Sequence, residues 1–83
     1  MALSRNIMST LLEDLAGRLK RARLESNLTQ QALADRTGVA LKTISNAEDS
    51  GQISLDTWLR LLDGLGRLDD LNAVLADTGP SPI

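Results

Sequence analysis

Between Ala40 and Glu48 the chain reads ALKTISNAE. Wound into a helix, this stretch with the preceding Val39 turns Val39, Ile44 and Ala47 to one side and leaves Ala40, Leu41, Lys42, Thr43, Ser45 and Asn46 on the other. The outward set has a defined chemistry. Lys42 can donate to the O6/N7 edge of a guanine or to a phosphate. Asn46 matches the paired donor and acceptor of adenine N6/N7. Leu41 suits a thymine methyl, and the hydroxyls of Thr43 and Ser45 serve either kind of base edge. A narrow helix bearing small, polar and basic groups fits a groove about 12 Å wide. The expected chemistry is recognition of double-stranded DNA.

The composition narrows the alternatives. The 83 residues include no Cys and no His, so Cys/His zinc sites, thiolate nucleophiles and imidazole acid–base catalysis are ruled out. The carboxylates fall on polar helix faces and no hydroxyl has a base beside it, so the chain is read as a non-enzyme with no metal and no cofactor. No apolar run has the length of a membrane span, and the first residues, MALSRNIMSTLLEDL, lack the apolar core of a signal peptide. A cytoplasmic protein with no membrane partner is expected.

Charge is unevenly placed. Residues 1–47 carry seven Lys/Arg against four Asp/Glu, a net +3, whereas residues 48–83 carry two against seven, a net −5. The whole is −2, unusual for a DNA binder. The split suits a chain that shows its first half to phosphates and its second half to protein.

The elements that must position the reading helix follow from period and punctuation. Ser9 to about Ser26 is a first helix, with Ser9 or Thr10 as cap and Leu12, Leu15, Leu19 and Ala22 inward. Asn27 is its left-handed stop. Thr29 caps a short second helix from Gln30 to Arg36 with Leu33 and Ala34 inward, and Gly38 makes the turn into the third helix, Ala40 to Glu48. Asp49 to Gln52 reads as a turn. Ser54 caps a fourth helix whose apolar stripe is Leu55, Trp58, Leu59 and Leu62; Trp58, the one aromatic residue, is read as a core anchor. Leu68, Leu71, Val74 and Leu75 mark a last helix. The fold class expected is all-α, five helices, divided into an arm over 1–8, a helix-turn-helix domain over 9–76 that includes the last helix, and a flexible tail over 77–83.

Thr29 to Glu48, TQQALADRTGVALKTISNAE, together with the following ISLDTWLRLLDGLG, resembles the Cro and phage-repressor type of helix-turn-helix, the Xre family, over roughly Leu15 to Leu65. The resemblance implies a lambda-repressor-like domain that regulates transcription. It implies a phosphate contact from Gln30, which also buttresses the reading helix, and a second from the helix start at Thr29. Ala40, Leu41, Lys42, Thr43, Ser45 and Asn46 fall on its groove-facing positions. Arg23 and Glu48 fall on its salt bridge between first and third helices. Two departures stand out: Ala47 replaces a frequently larger apolar residue, and the turn DSGQIS carries Asp49, which would repel phosphate, so residues 49–52 receive no contact.

One such helix covers few base pairs, so a homodimer on a palindromic operator is expected, acting as a repressor. Leu68, Leu71, Val74 and Leu75 are its expected dimer surface. The Arg18, Lys20 and Arg21 cluster is a secondary phosphate-steering patch. The pattern is also similar to that of HipB-like antitoxins, which implies a second reading: a toxin–antitoxin system whose partner is a HipA-type kinase, met by the acidic half and the tail TGPSPI. A third reading is a helical interaction bundle without DNA binding.

Overall fold

The computed structural model describes residues 2–74 and 76, and their side chains from Ile7 onward. Four α-helices, α1 (Ala2–Glu25), α2 (Gln30–Thr37), α3 (Leu41–Ser50) and α4 (Leu55–Gly64), are followed by a 3-10 helix over Leu68–Ala73. The fold is all-helical, with no strand among the described residues. Leu75 and residues 77–83, part of the expected dimer surface and the expected tail, lie outside them.

Punctuation in the sequence sets most of the boundaries. Thr29 adopts an extended conformation and its Oγ1 accepts from the Ala32 N–H at 3.0 Å, which starts α2. Gly38 ends α2 at φ 76°, in the left-handed region that an L side chain rarely enters. Ser54 caps α4 through the Thr57 N–H at 3.1 Å, and Asn27 turns out of α1 at φ 59°.

Around these stops α1 packs chiefly on α3, while α2 packs on both α3 and α4. The core at their junction consists of Leu19, Leu33, Ala34, Val39, Ile44, Ala47 and Leu61, with Leu28, Ile53, Trp58 and Leu65 closing its edges. Ala47 is fully buried. Its small side chain sits in the core where the resemblance anticipates a larger one. Trp58 is half-buried at the core edge, and its indole N–H donates to the Gly51 carbonyl at 3.2 Å.

Several expectations are corrected. α1 begins at Ala2, well before Ser9, because nothing in ALSRNIMST breaks a helix; Ser9 and Thr10 are interior positions and not caps. Leu15 is exposed, and the face α1 buries is Leu12, Ala16, Leu19 and Arg23, one position round from the stripe that leucines alone suggested. α3 runs on through Asp49 and Ser50, and Gly51 at φ 74° stops it. A side chain at Gly51 would fall on the Leu12 carbonyl oxygen, so this glycine is also where the turn meets α1. On α4 the deepest residue is Leu61, fully buried, whereas Leu55 is 70% exposed at the first turn. The last element is 3-10 and not α, with Asp69 and Asp70 at its start and Leu68 and Val74 exposed.

Candidate nucleic-acid interface

The site is built on α3. Val39, Ile44 and Ala47 are buried, which fixes the rotation of the helix about its axis. Leu41, Lys42, Ser45 and Asn46 are therefore exposed, while Thr43 is half-buried beside them. Ala40 is exposed and precedes the helix as its N-cap residue, but its side chain makes no capping hydrogen bond. Leu41 exposes 43% of its surface at the first turn, a large apolar group set among polar neighbours.

The pose of α3 is locked from behind. Arg23, on α1, is buried, and so is the side chain of Glu48 opposite it on α3. Its Nε donates to Glu48 Oε2 at 2.6 Å, its Nη2 to Glu48 Oε1 at 3.0 Å, and its Nη1 to the Leu28 carbonyl at 2.7 Å. One guanidinium thus ties α1, the turn before α2, and the end of α3. The hydrogen bond to Glu48 holds the Arg23 pKa above the usual arginine range, against a smaller lowering by burial. Its folded pKa is raised, so the stabilisation is present below the ordinary arginine pKa and would be lost only in strong alkali.

Gln30 joins the same network. Its Nε2 donates to Glu48 Oε1 at 3.1 Å, and an amide carries two such protons, so the second stays available to an outside acceptor. The hydroxyl of Thr29 is committed to the Ala32 N–H. The N–H groups of Gln30 and Gln31, in the first turn of α2, have no carbonyl of their own helix to meet, so the backbone supplies the donors there that the Thr29 side chain does not.

The basic cluster on α1 divides. Arg18 pairs with Asp14 at 2.8 Å on an exposed face. Arg21 leans back towards Gly17. Lys20 alone borders a shallow depression shared with Gln30, Ser45, Glu48 and Asp49. Sequence reasoning grouped the three by proximity in the chain; the signal that separates them is the helical wheel, on which Lys20 lies three residues, almost one turn, before Arg23. Asp49, exposed at the same rim, leaves that edge of mixed sign.

The outward residues of α3, Gln30 and the start of α2 are therefore brought to one side of the molecule, with Arg23 and Glu48 behind them. Leu68 and Leu71 belong to the 3-10 segment and Val74 caps its end; Leu68 and Val74 are exposed and Leu71 is half-buried. Among the described residues no group of acids could hold a metal ion, and no helix is long and apolar enough to cross a membrane.

Two short helices joined at a left-handed glycine, the second presenting a polar face, define a helix-turn-helix. A family profile described as a helix-turn-helix domain matches residues 14–75. The chain belongs to the helix-turn-helix domain family, a DNA-binding class. No curated protein matches it.

Proposed function

We propose that the chain is a sequence-specific regulator of the Cro and phage-repressor type, reading the major groove with α3. The observation that carries this reading is the pairing of a free outward face with a rigid back. Lys42, Ser45 and Asn46 are exposed on a helix whose other side is fixed by Ile44, Ala47 and the Arg23–Glu48 bridge. Direct readout needs that combination, because a base edge rewards a donor only if the donor is held in register.

In this reading Leu41, Lys42, Thr43, Ser45 and Asn46 face base edges and Ala40 allows close approach at the helix start. Gln30 and the backbone N–H groups after Thr29 hold a phosphate, and Lys20 adds a second phosphate contact at the same rim. The DNA-binding unit spans residues 9–76, with the first turns of α1 ahead of it. Two copies on an inverted repeat place two α3 helices about 34 Å apart, one DNA turn, and occupancy of a promoter represses it. Leu68, Leu71 and Val74 offer a second, smaller apolar contact between copies.

Fluorescence anisotropy with the duplex upstream of the chain's own reading frame, against scrambled duplex over a salt series, tests this. A specific complex at least a thousandfold tighter than the non-specific one supports it; equal affinity for both rejects it.

The antitoxin reading is favoured by one observation, the net −5 of residues 48–83. An acidic half of this kind suits a basic protein partner such as a HipA-type kinase. Co-expression with the product of the adjacent reading frame, followed by purification through this chain alone, tests it.

A further inference from the structure

The early start of α1 has a consequence for assembly. Leu12 is where the turn at Gly51 meets α1, so Ala2–Leu11 runs on past the core for about 15 Å. Ile7, Met8, Leu11 and Leu15 are 49%, 58%, 53% and 43% exposed. At spacings of one, three and four they form a single apolar stripe. Within one copy no described side chain covers this stripe, and it is left to water.

We infer that this stripe is covered by a second copy of the chain, with the two α1 helices crossing about a two-fold axis near Leu11. This inference rests on the homodimer of the proposed function and names the surface that makes it. Area supports a second copy. Four large side chains, each about half exposed, present on the order of 400 Å² of apolar surface, the size of the largest patch on a typical monomer, which is often functional. With the rim of polar atoms that an interface of ordinary composition carries, that corresponds to roughly 700 Å² per partner. A stable pair of standard size buries about 800 Å² per partner. A stripe on a single straight helix is also self-complementary under a two-fold, as an interface between identical copies requires.

The direction of the stripe fits DNA binding as well. At about 100° per residue, Lys20 lies roughly 180° round α1 from Leu11. A partner on the Leu11 side leaves the Lys20, Gln30 and α3 side open. Among the described residues the stretch from Leu68 to Val74 offers less, since Leu68 and Val74 are its large exposed apolar side chains.

Sedimentation equilibrium and oxidative cross-linking test the assignment. Wild type is expected to be a dimer at tens of micromolar, and Met8→Asp with Leu11→Asp is expected to raise the dimer dissociation constant at least tenfold with the helical circular dichroism retained. The chain has no Cys, so Leu11→Cys reports proximity without background, and it is expected to give a covalent dimer that a Cys placed at Lys20 does not. A wild-type monomer overturns the inference. So does a Met8/Leu11 variant that stays dimeric while Leu68→Asp with Val74→Asp becomes monomeric. Binding of the Met8/Leu11 variant to a duplex carrying one half-site separates the two claims: unchanged half-site affinity leaves the reading helix standing whatever the assembly result.

Discussion

Arg23 and Glu48, 25 residues apart in sequence, make a two-pronged ion pair at 2.6 and 3.0 Å with both side chains almost wholly shielded from water. Removing one partner strands the other charge in the interior, which costs about 3–5 kcal/mol. The total stability of an 83-residue domain is on the order of 4–12 kcal/mol. Arg23→Ala and Glu48→Ala are therefore each expected to lower the urea midpoint sharply, while Arg23→Met combined with Glu48→Leu loses much less. Unmoved midpoints in the single variants would show that the pair does not anchor α3.

Lys20 and Arg21 are adjacent in sequence but face different surroundings. Neutralising a phosphate contact reduces the slope of log K against log salt by about one. Lys20→Ala is expected to do so, with the preferred sequence unchanged. Arg21→Ala is expected to leave the slope alone. Equal slopes for both variants would remove Lys20 from the interface.

Gly38 and Gly51 both occupy the left-handed region, at φ 76° and 74°, but only one of them is crowded. Around Gly38 nothing lies within 4 Å of an added Cβ, so Gly38→Ala is expected to cost only the backbone strain, about 1–2 kcal/mol. At Gly51 the added carbon meets the Leu12 carbonyl as well, so Gly51→Ala is expected to cost clearly more. Thermal denaturation of the two variants gives the order directly.

How much of this was legible in the sequence depends on what kind of signal each feature rests on. Thr29, Ser54, Gly38 and Asn27 act on their immediate neighbours, and local chemistry is enough to read them. Val39, Ile44 and Ala47 read correctly because the turn at Gly38 sets the phase of α3. No such marker sets the phase of α1 or α4. A leucine-rich stripe there has more than one face by spacing alone, and Leu15 and Leu55, inward by that pattern, are exposed while Ala16 and Leu61 are buried. Only a tertiary neighbour decides that choice: the Gly51 turn against Leu12 for α1, and the α2 residues for α4. The start of α1 was missed for a related reason. Ser9 is a good cap by type, yet a serine within a run of helix-compatible residues stays helical when nothing stops the chain upstream. The last element has leucines at helical spacing, but Gly66 at φ 69° precedes it and Asp69 and Asp70 occupy the first turn of a tighter 3-10 path.

The central claim is that the outward face of α3 reads base edges, and selection from a randomised duplex library tests it most directly. Wild type is expected to enrich an inverted repeat with half-sites about one helical turn apart. Lys42→Ala with Asn46→Ala is expected to retain wild-type helicity and lose that enrichment, since each good contact to a base edge contributes about 1–3 kcal/mol of discrimination. Enrichment of the same sequence by the variant, or of no sequence by the wild type, would contradict the account.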